Sequence, residues 1–263
     1  MNYIQSILLG IIEGITEFFP ISSTGHMILA ASIMGILENK ITNLFLISVQ
    51  FGAVLSVVFL YRNNFFFQKL DFYLKIFIAS LPVVIFGFLL HKIINFFLYQ
   101  PLIVALSLLI GGVVILKVEI FYEKNFCNRK NCITYFKAFV IGLFQCMALI
   151  PGVSRSATTI IACMLQNINR IQAIEFSFFL SVPVIAIATC KKLHDYYFQL
   201  NFFTLKDIEL LLLGNIVSFM TGMIAIKCFT KYLNNFKVFG YYRIILGTFF
   251  VIVHYFIKPI GKF

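Results

Sequence analysis

The chain reads as an all-α polytopic membrane protein with about six transmembrane helices, two re-entrant helix-hairpin regions and an inverted internal repeat. Three observations predict this class. Of its 263 residues 61% are hydrophobic and 12% charged, whereas a soluble domain carries about 25% charged residues. Apolar runs at about 43–61, 73–90, 102–118, 172–190, 208–228 and 241–257 are each long enough to span, since crossing takes about 17–25 residues. Two further regions, about 4–37 and 134–166, are apolar but interrupted midway by a polar, proline-containing hinge. Neither half crosses alone, and irregular backbone at membrane depth is tolerated only where it is buried in protein or lines a cavity.

The first interrupted region centres on Gly10 to His26, GIIEGITEFFPISSTGH. Glu13 and Glu17 stand four residues apart and project from one helical face. Like charges repel at that spacing, and a charge at mid-bilayer costs about 2.5–3.5 kcal/mol on insertion scales for Asp, Lys or Arg. Such a pair persists only if something uses it: a shared proton, a divalent cation or a basic partner. Gly10 and Gly14 suit a close helix-packing face. The hinge itself is Phe19-Pro20-Ile21-Ser22-Ser23-Thr24-Gly25.

The second interrupted region carries Pro151-Gly152-Val153-Ser154-Arg155-Ser156. Gly10, Glu13 and Ser22 recur at an offset of 132 residues as Gly142, Gln145 and Ser154, and Phe45 to Val49 is echoed loosely by Phe178 to Val182. A single integral membrane domain, 1–263, is therefore expected to consist of repeat halves of about 1–133 and 134–263, with the hinges meeting near a pseudo-twofold axis.

The net charge of +11 does not point to nucleic acid, because the cations gather in short loops between apolar runs. Arg62, Lys69 and Lys75 in one loop, and Lys117, Lys124, Arg129, Lys130 and Lys137 in another, mark the cytoplasmic side. The loop at 91–101, with His91 and Lys92, faces outward. Glu38, Asp71, Glu119, Glu123, Asp195, Asp207 and Glu209 are expected to be solvated. MNYIQ lacks a basic n-region and Glu13 interrupts the apolar stretch, so no cleavable signal peptide is expected. Cys146, Cys163, Cys190 and Cys228 are expected in the core. Cys127 and Cys132 flank a basic loop and read as reduced thiols, since two thiols without a second pair or a nearby His make a poor zinc site.

The hinges hold the chemistry. Ser22 and Ser154 suit helix N-caps, and a helix N-terminus in low dielectric attracts anions. Arg155 adds a planar, permanently charged fork suited to phosphate. Should the hinges meet, two helix N-termini, one guanidinium, the hydroxyls of Ser22, Ser23, Thr24, Ser154 and Ser156, the His26 imidazole and two carboxylates would share a pocket. Ser23 and His26, three apart, could pair as nucleophile and base, or His26 could attack phosphorus with Ser23 orienting it. Glu13 and Glu17 could hold a hard divalent cation, Mg2+ or Ca2+, or one could act as general acid or base. Broken helices and inverted repeats also suit a secondary transporter, which would have no use for a nucleophile.

Glu13 to His26, EGITEFFPISSTGH, resembles the EGxTEFxPxSSTGH signature of the bacterial undecaprenyl-diphosphate phosphatase (bacitracin-resistance) family, and Pro151 to Thr159 is similar to its second signature, PGxSRSGxT. The runs around Gln50-Phe51-Gly52-Ala53, Gly142 to Gln145 and Phe176 to Pro183 also match, so the likeness covers nearly the whole chain in order. It implies a bacterial inner-membrane enzyme that removes the terminal phosphate of a C55 isoprenyl diphosphate and recycles the lipid carrier for cell-wall synthesis. It also implies divalent-cation dependence, an active site on the outer face and, frequently, a homodimer. By position, Glu13 and Glu17 match the acidic pair, Ser23 and His26 the nucleophile candidates, and Arg155 the phosphate-binding arginine. Ser22, Thr24 and Gly25 fall in the substrate-binding signature, and Ser154, Ser156 and Thr159 match supporting hydroxyls. Ala157 replaces the usual glycine after SRS.

Overall fold

The computed structural model describes residues 1–98, 100–125, 132–200, 203–229 and 235–256, among which every regular element is helical. In chain order these are α1 (Tyr3–Thr16), α2 (Ser23–Ile33), α3 (Lys40–Leu60), α4 (Arg62–Phe66), α5 (Leu70–Leu89), α6 (His91–Leu98) and α7 (Pro101–Asn125). There follow α8 (Tyr135–Gln145), a 3-10 turn (Cys146–Leu149), α9 (Arg155–Leu165), α10 (Arg170–Leu200), α11 (Leu205–Phe229) and α12 (Lys237–Phe256). Six of them, α3, α5, α7, α10, α11 and α12, are long and apolar enough to cross a bilayer. They coincide with the six apolar runs of the sequence, and the chain is a multi-pass membrane protein.

The interrupted regions form two pairs of short helices, α1 with α2 and α8 with α9. Helices of 14 and 11 residues reach roughly 21 and 16 Å at 1.5 Å per residue, well short of a hydrocarbon core about 30 Å thick. Each pair is held by close helix contact. A Cβ on Gly14 would lie 2.0 Å from Thr221 Oγ1 of α11, and one on Gly142 would lie 2.4 Å from the Ala79 carbonyl oxygen of α5. Glycine removes the side chain that would hold these backbones apart, which is what packing in lipid rewards. Two apolar cores flank the first hinge: Phe18, before it, packs with Phe178 and Ile160, while Met27, after it, packs with Leu44 and Leu108.

Three expectations need correction. Glu119 is not solvated: it is 1% exposed and pairs with Arg170 at 2.7 Å. The reason is that α7 continues beyond its apolar run to Asn125, carrying Glu119 into packed protein. Arg170 itself lies over the rings of Tyr122 and Phe236. Cys190 and Cys228 are exposed, whereas Cys163 is buried. In a membrane protein the exterior is as apolar as the core, so an apolar neighbourhood does not tell the two apart. Cys132 is a free thiol; Cys127, Arg129 and Lys130 lie outside the described residues.

Candidate active site

Both hinges are built on a serine in the left-handed backbone region. Ser22 has φ 70° and Ser154 φ 75°, values rarely adopted by residues with a Cβ. Such positions cost about 1–3 kcal/mol and survive only where the surroundings over-determine them. Each serine caps the helix that follows: Ser22 Oγ accepts from the Gly25 N–H at 3.3 Å and Ser154 Oγ from the Ala157 N–H at 3.2 Å. Ala157, the departure from the family pattern, is buried in α9, where a methyl group is ordinary.

The hinges meet. Arg155 Nη2 donates to Glu17 Oε1 at 2.6 Å, across 138 positions of chain. Ser23 Oγ donates a short hydrogen bond to the other oxygen of the same carboxylate. Ser156 Oγ donates to the Phe19 carbonyl at 3.0 Å. The Arg155 fork is held from behind by the Ser177 carbonyl at 2.9 Å. Thr159 hydrogen-bonds Ser177 Oγ at 2.7 Å and the Arg155 carbonyl at 3.0 Å. Thr159 thus steadies Arg155 and does not itself line the cavity.

A cavity of about 180 Å³ opens at this junction. Glu17, Ser22, Ser23, Thr24, Ser154, Arg155 and Ser156 line it, with Gln50 and Gln145 and a wall of aliphatic side chains. Gln50 Nε2 donates to Thr24 Oγ1 at 3.1 Å and fixes that hydroxyl at the wall. Gly25 does not line it, and its N–H is taken by the Ser22 cap.

His26 takes a different place from the one its spacing suggested. Its Nδ1 donates to the Ser22 carbonyl at 2.7 Å, because a carbonyl can only accept, and its Nε2 then accepts from the Tyr242 hydroxyl at 2.8 Å. The imidazole lies against the Tyr242 ring and outside the cavity lining. With both ring nitrogens engaged, it makes no hydrogen bond to Ser23. The shared helical face exists, but the carboxylate of the preceding half-helix reaches Ser23 first.

Glu13 is fully buried beside Glu17 and Ser23, yet neither of its oxygens meets a donor. Gln145, its counterpart at an offset of 132 residues, is also fully buried with an unpartnered carboxamide. Buried polar atoms without partners are rare and ask for a reason. Unpartnered hard oxygens next to a second carboxylate suit a divalent cation. Among the described residues no third His, Cys, Asp or Glu joins the pair, and Glu13 itself lies behind the cavity lining.

Sequence reasoning missed Arg243. It is completely buried in α12 and donates to five backbone carbonyls: Pro20, Gly152, Val153, Ser107 and Leu108, at 2.8–3.4 Å. The first three belong to the two hinges, so this one guanidinium ties them together. The signal was present, since an arginine inside an expected span is a functional hypothesis by default.

Known proteins resemble this chain along nearly its whole length. A family model described as bacitracin resistance protein BacA matches residues 6–249. A protein named undecaprenyl-diphosphatase from Flavobacterium psychrophilum is 52% identical over 262 residues, 99% of each chain. Proteins of the same name from Flavobacterium johnsoniae and Bdellovibrio bacteriovorus are 50% and 44% identical, covering 99% and 97% of each chain respectively.

Proposed function

This chain belongs to the bacitracin-resistance family, and from that membership we propose that it is an undecaprenyl-diphosphate phosphatase. It hydrolyses the terminal phosphoanhydride of the C55 isoprenyl diphosphate, releasing inorganic phosphate and returning the monophosphate carrier to cell-wall synthesis. The same activity accounts for bacitracin resistance. A multi-pass protein with this substrate belongs in the bacterial inner membrane.

The observation that carries the reading is the chain of contacts from Arg155 through Glu17 to Ser23, which unites both hinges at one cavity. Glu17 orients Ser23 and accepts its proton as Oγ forms a bond to the terminal phosphorus. The bond from that phosphorus to the bridging oxygen breaks, and the lipid monophosphate leaves. Water then attacks the phosphoserine, with Glu17 returning the proton to Oγ, and inorganic phosphate departs. Arg155 meets the charge on the transferred group, an electrostatic role that often dominates phosphoryl transfer. Two capped helix N-termini add their dipoles. His26 positions the start of α2 by bonding the Ser22 carbonyl. A divalent cation, Mg2+ or Ca2+, held by Glu13 and Glu17, would supply charge neutralisation to the diphosphate, and two carboxylates alone favour Mg2+.

We also propose that the halves 1–133 and 134–263 are an inverted repeat with re-entrant hairpins entering from opposite faces. Each half opens with two short helices and carries three long ones, with α4 and α6 interposed between the long ones in the first half only, and Ser22 and Ser154 both have a positive φ. Tyr3 bonds Glu209 at the start of α11, and Tyr135 bonds Asp71 at the start of α5. These two helix starts lie on opposite sides if each long helix crosses once.

The test is phosphate release from a long isoprenyl diphosphate by purified protein. Ser23→Ala and Glu17→Ala should each lose at least 100-fold in kcat, and Ser23→Ala should abolish a trapped phosphoenzyme. Parent-like turnover in both would remove this site from the reaction.

A further inference from the structure

The catalytic cavity does not stand alone. Six of its lining residues, among them Ile47, Val83, Leu149 and Val184, also line a second cavity of about 180 Å³ whose wall is mostly apolar. That throat in turn shares His91, Lys191, Lys192 and Asp195 with a chamber of about 510 Å³. The chamber is lined by Lys40, Lys92, Lys191 and Lys192, with His91 and His194, against the single carboxylate of Asp195. Asp195 is already occupied, by Lys191 at 2.6 Å and with His194 at 3.5 Å. Lys40 and Lys92 are exposed to the chamber's solvent.

This concentration of cations needs a reason. Lys40 and Lys92 stand at the starts of α3 and α6, and Lys191 in the last third of α10, toward the face opposite the loops at 61–75 and 117–137. The positive-inside rule leaves that face poor in lysine. A recessed site with an excess of one charge and low-dielectric walls focuses its field and concentrates counter-ions. Apart from the four residues it shares with the chamber, the throat is lined by apolar residues, so an anion on the path has resting places only at its two ends.

We propose that the basic chamber is a second phosphate-binding site, placed at the mouth of the throat that leads to Arg155. Its ligand is a phosphate anion, from the diphosphate head of arriving lipid or from the inorganic phosphate that leaves. The inference rests on the diphosphate-hydrolase reading of the catalytic cavity, and it adds a site that the reaction chemistry itself does not require.

Binding separates the two ideas. The probe is inorganic phosphate, titrated by calorimetry into detergent-purified full-length protein carrying Arg155→Ala, which silences the catalytic cavity. Binding should persist and weaken with salt. Adding Lys40→Gln, Lys92→Gln and Lys192→Gln should weaken it at least tenfold, while the three corresponding Arg substitutions preserve it. Lys206→Gln, exposed on the same face outside the chamber, should change nothing. No phosphate bound by Arg155→Ala, equal binding by the Gln triple, or an equal loss from Lys206→Gln would overturn the proposal. Where Arg155→Ala fails to fold, the same titration on the parent chain should resolve two phosphates per chain, one of them lost in the Gln triple; a single phosphate that the triple retains overturns the site.

Turnover with the catalytic cavity intact then identifies the source. Capture of the lipid head raises KM at least fivefold in the Gln triple with kcat within twofold. Retention of the product raises the inhibition constant of inorganic phosphate at least fivefold and leaves KM in place. If the parent binds phosphate in the chamber but hydrolyses no isoprenyl diphosphate, the hydrolase reading fails while the site stands.

Discussion

Arg155 and Arg243 reach the same two hinges from different directions. Arg155 opens α9, keeps 12% of its side chain exposed at the cavity, and pairs with the Glu17 carboxylate. Arg243 sits within α12, is fully buried and donates only to backbone carbonyls, three of them in the two hinges and two in α7. A hinge at bilayer depth creates two problems at once. Its free N–H groups and open space make an anion site, and its free carbonyls need donors that lipid cannot supply. One arginine serves each need, and only the neighbours distinguish them.

The sharpest way to break this comparison is to remove each guanidinium. Arg155→Ala should lower kcat for phosphate release about 10²–10³-fold, the range seen when one transition-state donor is lost, in a protein that still purifies as a monodisperse species. Arg243→Met should act on the fold. It leaves carbonyls without donors at about 1–3 kcal/mol each, so thermal unfolding in detergent should shift down steeply, with residual activity following the folded fraction. A stable Arg243→Met protein that cannot turn over would place Arg243 in the chemistry and dissolve the distinction.

A smaller effect should come from the acidic side of the cavity. Chelation with EDTA should lower release and Mg2+ should restore it. Glu13→Gln should raise the Mg2+ concentration for half-maximal rate about tenfold, whereas Arg243→Lys should leave that concentration alone. An unchanged Mg2+ requirement in Glu13→Gln would mean that its orphaned oxygens serve something other than a cation.

The smallest change is expected beside Arg243. Tyr242→Phe removes one hydrogen bond to His26, worth about 0.5–1.5 kcal/mol, and should lower stability slightly with kcat within threefold of parent. A collapse of turnover instead would return His26 to the reaction.

Much of this architecture was legible in advance. The spans follow from uninterrupted apolar length, and the hinges from proline and serine where apolar sequence should continue. The juxtaposition of Glu17 and Arg155 was reachable because two charges in lipid-depth segments each demand a partner. Arg243 was overlooked although an arginine inside a span is itself a signal; what no sequence could supply was its partners, which are backbone oxygens. Glu119 was misplaced because an apolar run ends before its helix does. The pairing of His26 went astray because helical spacing names neighbours within a helix and ignores α12, where Tyr242 waits.

The sequence by itself determined which segments enter the bilayer, where they break and which residue types sit at the breaks, because transfer from water to lipid acts on each segment locally. Only the tertiary structure decided which carboxylate holds Ser23, which arginine faces the cavity and which seals the backbone. Those outcomes depend on side chains meeting across a hinge or between distant segments, 6 positions apart for Glu17 and Ser23 and 138 for Glu17 and Arg155, where packing and unmet hydrogen bonds, more than local composition, select the partner.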